Sequence, residues 1–266
     1  MSTSAFAGSI PDNYDRYLRP LLFEPYATDL VARLELRPAM RVLEIACGTG
    51  IVTRQLLARV PGDAAIVATD LSEPMLAIAQ QRVSPDLRLA WQPADALSLP
   101  FDPGAFDAVV CQFGVMFFPD KARGFAEMRR VLKPGGQLLV NVWDAFERNP
   151  ISRLAHEALA QAFPQNPPTF LTIPFGFHDQ KELQRMVSAA GFSAVKVEPV
   201  EAESHSPSAL DAATGLVTGS PMALELREAG ASLTDALEAV TRALTSQYGS
   251  GAIAARMSAI VVDARA

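Results

Sequence analysis

Residues 42–50 read Val-Leu-Glu-Ile-Ala-Cys-Gly-Thr-Gly, a mostly apolar run that closes on two glycines one position apart. A helix-like stretch, 51–60, follows at once. Glycine is needed where backbone must turn sharply or come close to something a Cβ would strike. A strand, a tight Gly-x-Gly turn and a helix in direct succession belong to a sheet in which strands and helices alternate. No other feature of the chain narrows its fold so much.

The alternation continues downstream. Residues 64–69 read as a second strand, and Ser72 stands as the N-cap of a helix reaching about residue 83, with Glu73 and Pro74 in its first turn. Residues 87–91 and 106–112 read as the third and fourth strands. Ala122, Phe125, Met128 and Leu132 recur at helical spacing within 119–133. Pro134-Gly135-Gly136 stops that helix, and 137–143 reads as the fifth strand. Short joins imply parallel strands with helices on both faces, and the runs AAIVAT and DAVVCQ are apolar enough for burial on both sides.

Beyond Asp144 the pattern loosens. A helix at 151–163 leads into 164–174, where Pro164, Pro167, Pro168 and Pro174 demand irregular chain. A helix at 178–190 ends at Gly191, and 193–200 reads as a sixth strand. Residues 208–248 are mostly helical, with capping-type spacings at Ser208/Asp211 and Ser232/Asp235 and an apolar stripe of Leu233, Leu237, Val240 and Leu244. A short last strand is expected at 259–264. The helical segment reads as an insertion on the sheet, so residues 1–266 are taken as one domain.

Composition removes whole classes of function. Lys and Arg number 23 against 29 Asp and Glu, a net charge of −6, which argues against a nucleic-acid-binding surface because phosphate contacts need clustered cations. The two cysteines, Cys47 and Cys111, fall in or beside apolar strands. They make no disulfide framework, and no clustered His/Cys pattern marks a metal site. The first residues show no basic segment followed by an apolar stretch. The longest uncharged apolar run, 108–118, is too short to span a bilayer, which takes roughly 20 residues. The expectation is a soluble, cytoplasmic protein without a membrane span.

Two acids flank the glycine turn. Glu44 sits four positions before Gly48, and Asp70 ends the second strand, where an acid can bond ribose hydroxyls. Dinucleotide binding needs a third glycine, G-x-G-x-x-G, to pack helix on strand beside a pyrophosphate. Thr53 occupies that position, and Glu44 would oppose an anionic pyrophosphate. Charge therefore favours S-adenosylmethionine (SAM), whose sulfonium and ammonium are both positive. Plainer readings stay open. Glu44 can be a buried strand acid, Asp70 a helix-terminus acid, Asp95 a turn cap, Met75 core filler, and Tyr14 and Tyr17 packing aromatics.

VLEIACGTG (42–50), ATDLSEPML (68–76), ADALSLPF (94–101), FDAVVCQFGVMFFPD (106–120), VLKPGGQLLV (131–140), AGFSAVKVE (190–198) and SAIVVDAR (258–265) follow one another in an order and spacing that resembles the class I SAM-dependent methyltransferases. The resemblance is to those similar to the ubiquinone/menaquinone-biosynthesis enzymes (methyltransferase type 11). It implies a Rossmann-like, doubly wound α/β sheet of seven strands in the order 3-2-1-4-5-7-6, with strand 7 antiparallel. It also implies an N-terminal helical lid over 1–35, a SAM-binding core over 36–145, and a substrate side over 146–266 with a helical insertion at 204–255. In the family's pattern Ala46, Gly48 and Gly50 put backbone against the methionine part, with Glu44 near its amino group. Asp70 holds the ribose hydroxyls, Leu71 and Met75 flank the adenine, Asp95 accepts from its amino group, and Ala96 donates to its ring. Gln112 and Phe113 place a carbonyl on the ammonium and open the substrate side, while Tyr17 and Tyr14 cover the cofactor.

The reaction implied is direct in-line methyl transfer, which needs alignment above all and a base only for a protonated acceptor. His178, after the irregular stretch, is the weak candidate for such a base, and no catalytic residue is assigned. Met116, Phe117, Phe170, Phe175 and Phe177 are expected to line the pocket of a small apolar or aromatic substrate. The alternatives are a SAM-binding biosynthetic protein without methylating chemistry and, less favoured, an NAD-dependent oxidoreductase. Homodimerisation is left open.

Overall fold

Val42, Leu43, Val109 and Val110 are shielded from solvent, as expected of strands covered on both faces. The structure, a computed structural model, describes residue 8 and residues 10–266; the first seven residues of the expected lid, and residue 9, lie outside it. The chain begins with a short helix α1 (Ile10–Asn13), a π-helix (Tyr14–Phe23) and α2 (Glu24–Ala32). Then β1 (Arg41–Ile45), α3 (Ile51–Arg59), β2 (Ala65–Asp70), α4 (Glu73–Arg82) and β3 (Leu89–Pro93) build one half of the sheet. The other half runs β4 (Phe106–Gln112), α5 (Lys121–Val131), β5 (Leu132–Trp143), α6 (Pro150–Ala162), α7 (Gln180–Ala189) and β6 (Ser193–Ser206). Helices α8 (Ala209–Thr218), α9 (Met222–Glu228) and α10 (Leu233–Tyr248) precede β7 (Ile253–Arg265).

The sheet order is 3-2-1-4-5-7-6, with β7 antiparallel between β5 and β6, as the family resemblance implied. Strand order reverses between β1 and β4, whose parallel register pairs Leu43 with Val109. Crevices open at the C-terminal strand ends at such a switch point. The predicted caps of α8 and α10 are made. Ser208 and Ser232 accept from the N–H groups of Asp211 (3.0 Å) and Asp235 (3.2 Å). Ser72 stands at the N-cap of α4 without a capping bond.

Three strands depart from the sequence expectation. β5 begins at Leu132 rather than 137, because the helix has already ended at Val131 and the strand takes in Pro134-Gly135-Gly136 as a bulge. Phe106 pairs with Leu132 and Ala108 with Gln137, and the Gly135 N–H donates to Ala266 O at 2.8 Å. β6 and β7 run well past their expected ends, 200 and 259, because their extra residues pair with each other, from Glu201 with Ser258 to Ser206 with Ile253. Alternation on β6 is charged outside and small inside: Glu203 and His205 are exposed, Ser204 and Ser206 buried. An apolar-run criterion does not register such a strand.

The N-terminal segment is helical, with a π-helix in its middle. Pro20 lies inside the π-helix and cannot donate. Arg19 Nε donates to Asp15 O at 3.1 Å, filling the carbonyl that an N–H five residues on would have reached. This segment packs on α8, where a Cβ on Gly215 would lie 3.0 Å from Tyr17 Cβ and 3.2 Å from Leu18 Cδ2. Asn13 Nδ2 adds a hydrogen bond to Thr218 Oγ1 at 3.1 Å. Helix propensity alone makes Gly215→Leu stabilising by about 1 kcal/mol. The close seat reverses the sign, so Gly215→Leu is expected to lose about 1–3 kcal/mol in urea denaturation, and a gain would show that the contact does not constrain the segment.

Candidate active site

A cavity of about 410 Å³ lies at the C-terminal ends of β1, β2, β4 and β5. One half is polar in its details. Ala46 and Gly48 come from the turn after β1, Asp70, Leu71 and Ser72 from the end of β2, and Met75 from α4. Asp95 and Ala96 follow β3. Gly48 has φ +56°, and a Cβ built on it meets nothing within 4 Å, so the missing side chain leaves open space beside the turn. Ala46 shares this left-handed conformation at φ +56°, strain that a non-glycine residue holds only under tight constraint. Gly50, at φ +79°, serves packing instead. A Cβ there would come within 2.7 Å of Val83 Cγ2, and the residue does not line the cavity.

Asp70 ties the turn together. Its Oδ2 accepts from the Gly48 N–H at 2.8 Å and its Oδ1 from the Ser72 N–H at 2.8 Å. Burial raises its pKa above the usual carboxylate range, and these N–H bonds counter the rise. The Ser72 hydroxyl is buried at the cavity and has no hydrogen-bond partner among the described residues.

Glu44 lies behind this surface and does not line the cavity. Its carboxyl accepts from Thr53 Oγ1 at 2.5 Å. Thr53 therefore fills the position of a third glycine with a side chain already engaged. Burial pushes Glu44 up to about 8; the Thr53 hydroxyl bond opposes this, and the Asp70 charge adds to it. Glu44 is thus protonated over much of the acid range.

The other half is aromatic. Phe113 stacks on Trp143 at 4.1 Å between ring centroids and 14° between planes. Phe23 and Phe175 lean on Trp143 at 6.0 and 5.6 Å. Phe113 has φ +51°, held where its N–H donates to Asn141 Oδ1 at 3.0 Å. Gln112 Nε2 donates to Phe23 O at 3.3 Å, fastening the π-helix to the end of β4.

The structure gathers Tyr14, Ala46, Gly48, Asp70, Leu71, Met75, Asp95, Ala96, Gln112 and Phe113 around the cavity, with Met116, Phe117, Phe170 and Phe175. Five expected residues lie elsewhere, Gly50 among them as described above. Tyr17 faces α8, with Arg16 over its ring at 5.1 Å. Phe177 sits under Lys121 Nζ, 5.2 Å from its ring centroid. His178 is exposed, its Nδ1 2.7 Å from Phe175 O. Glu44 acts only from behind the turn. Sequence reasoning missed Phe23, Trp143, Ser152, Leu216 and Ser220, all of which line the cavity. Trp143 alone carried a signal, as an aromatic ending a parallel strand beside the switch point.

Comparison with known proteins agrees with this geometry. A profile described as a methyltransferase domain matches residues 42–136. The chain is 35% identical over 173 residues to a demethylmenaquinone methyltransferase of Mycolicibacterium gilvum, covering 61% of this chain and 72% of that one. It is 46% identical over 101 residues to a demethylmenaquinone methyltransferase of Thermus thermophilus, covering 38% of this chain and 46% of that protein, so the match spans about half the relative's length. A phosphoethanolamine N-methyltransferase 2 of Haemonchus contortus, solved with S-adenosyl-L-methionine, shares the fold. The TM-score is 0.62 at 17% identity, with 99% of this chain and 60% of that chain covered. The fold and the glycine-turn crevice are those of a Rossmann-like transferase. The chain belongs to the class I SAM-dependent methyltransferases of the ubiquinone/menaquinone-biosynthesis type.

Glu44 makes stability depend on pH. Its folded form holds a proton more tightly than the unfolded chain, so its contribution is full below about 4.5 and lost as pH rises towards 8. The stability of the wild-type protein relative to Glu44→Gln is expected to fall across that window and flatten above it. Denaturation of both proteins at stepped pH reads this directly, and a constant difference would show that Glu44 ionises normally.

Proposed function

We propose that this chain transfers a methyl group from SAM to a small apolar or aromatic acceptor by direct in-line displacement. One observation carries the reading: a single cavity runs from Asp70 and the glycine turn to the Phe113–Trp143 stack. The donor class fits the residues present. Gly48 leaves room where a Cβ would stand, and the buried Ser72 hydroxyl lacks a partner that a polar ligand can supply. Asp70 would hold the ribose hydroxyls with lone pairs not used by Gly48 and Ser72. Asp95 and the Ala96 N–H would address the adenine between Leu71 and Met75. The backbone at Ala46 and Gly48 and the Gln112 carbonyl would take the methionine part, under Tyr14.

Bound SAM supplies an already activated sulfonium methyl; alignment and exclusion of water are left to the protein. Such alignment contributes ~7–11 kcal/mol in favourable cases. Among the described residues lining the cavity, the titratable side chains are Tyr14, Asp70 and Asp95; no histidine or lysine lines it. Burial raises the Tyr14 pKa, with the Asp70 and Asp15 charges adding, which keeps its phenol a donor and not a base. The acceptor that suits this cavity is therefore nucleophilic without a protein base. His178 takes no part in this scheme.

The reading includes a diffusible acceptor rather than nucleic acid and a reducing, cytoplasmic setting; the net charge of −6 and two buried free thiols support it. Among the described residues no helix is long and apolar enough to cross a membrane.

Calorimetric titration with SAM, S-adenosylhomocysteine and NADH is the first test, followed by mass spectrometry for methylated product across a panel of aromatic acceptors. SAM binding with product formation supports the proposal. NADH binding in its place, or SAM binding without product on any acceptor, counts against it. Asp70→Ala is expected to weaken SAM at least tenfold, about 1.4 kcal/mol. Asp70→Asn, which retains one acceptor for the turn, separates loss of the ligand contact from loss of fold. Unchanged affinity in a folded Asp70 variant would remove its ribose role.

A further inference from the structure

The chain between α6 and α7 forms a wall of the cavity with solvent on its far side. Phe170, Leu171, Pro174 and Phe175 line the cavity, while Thr169, Thr172, Ile173 and Gly176 are exposed. The wall is thus a single strap of chain, and its grip on the rest of the molecule is narrow. The Thr169 N–H and Oγ1 donate to Glu225 Oε1 at 2.8 and 2.9 Å, and the Phe170 N–H donates to Glu225 Oε2 at 2.8 Å. Among the described residues, every other hydrogen bond of 164–177 closes within the segment or onto Phe163 or His178 beside it.

Glu225 stands on the fixed side. Its helix α9 is rooted by the buried Met222, Ala223 and Leu226, and Ser220 and Pro221 just before it also line the cavity. Beside the carboxylate a hollow of about 280 Å³ lies between Asn166, Pro167 and Pro168 and the end of α9 at Glu225, Glu228 and Ala229. Close packing therefore does not hold this edge of the strap to α9; the carboxylate does. Farther along, Phe175 leans on Trp143 and on Phe146, with ring centroids 5.6 and 4.8 Å apart, and that end is anchored. Pro167 and Pro168 restrict the backbone just before the bonded residues, which keeps the free edge stiff. Glu225 is only partly buried, so water can replace its donors at low cost compared with a buried bond.

We infer that Glu225 is a positioning residue that latches the Phe170–Phe175 strap to α9, and that release of this latch is the route by which solutes reach the Phe113–Trp143 stack. Glu225 does not line the cavity. It acts through Phe170 and Leu171, whose seat its two oxygens set. The N-terminal wall is tied down at more points, by Thr49 to Asp15, Gln112 to Phe23 and Asn13 to Thr218, so the strap is the side that opens first. The inference rests on the proposed methyl-transfer reading only in taking the acceptor as what passes there.

The test uses a Trp91→Phe background, which leaves Trp143 as the sole tryptophan of the chain. Trp143 is 3% exposed, so acrylamide reaches it and quenches its fluorescence only when the cavity opens. Loss of one hydrogen bond of ordinary net strength raises an open population about fivefold. Glu225→Ala is expected to raise the acrylamide quenching constant of Trp143 by about that factor while leaving S-adenosylhomocysteine affinity, read by calorimetry, unchanged. Glu225→Gln, which keeps one acceptor oxygen, is expected to fall between the two. Equal quenching in Glu225→Ala and its parent overturns the inference. A rise accompanied by weaker S-adenosylhomocysteine binding marks a general loosening and overturns it as well. Failure of S-adenosylhomocysteine to bind the parent removes the methyl-transfer reading first and leaves the quenching comparison to decide the latch.

Discussion

One carboxylate holds the crevice open. Asp70 receives the Gly48 N–H from the turn after β1 and the Ser72 N–H from the start of α4, each at 2.8 Å. Those bonds fix the ends of two neighbouring strands at a set spacing, and the left-handed Ala46 and Gly48 follow from it. Charge-assisted bonds to backbone N–H groups are among the stronger ones, and here they also stabilise an anion that burial opposes. Behind the same turn, Glu44 and Thr53 form a second bond that fastens β1 to α3. The two acids divide the work: one faces the cavity, the other braces its wall.

The cavity's aromatic half depends on elements far apart in the chain. The π-helix supplies Leu18, Leu22 and Phe23, β5 supplies Trp143, and α8 supplies Leu216. Gly215 lets the π-helix seat closely on α8, and Thr49 Oγ1 donates to Asp15 Oδ1 at 3.1 Å, linking that segment to the glycine turn. The N-terminal segment is therefore held at both the glycine-turn and the aromatic ends of the cavity.

Much of this was legible in sequence because it is periodic or steric. The apolar runs of β1, β2 and β4 and the glycine turn need no tertiary context to be read. The serine caps of α8 and α10 are local as well. What escaped is set by partners. β6 carries Glu198, Glu201 and Glu203 and is a strand because β7 lies beside it. Pro134-Gly135-Gly136 reads as the stop of a helix, yet it also lies inside β5 as a bulge. Pro20 sits inside a helix because a wider helical turn and the Arg19 side chain accommodate it. At the site, Asp70 was visible from its place at a strand end. Ser152 and Phe23 were not, because only the packing of α6 and the π-helix brings them to the cavity.

The position of β7 has a consequence for how the molecule is made. It lies between β5 and β6 and pairs with both, so β6 has no neighbour until residues 253–265 are available. Asn13 likewise waits for Thr218, 205 residues later. On the ribosome the glycine-turn side can assemble early from local strand–helix units, while the β6–β7 side must await the final stretch of synthesis. Such non-local closure is slow and leaves sheet edges exposed meanwhile. A nascent chain arrested before residue 253 is expected to carry a glycine turn with no finished chamber above it.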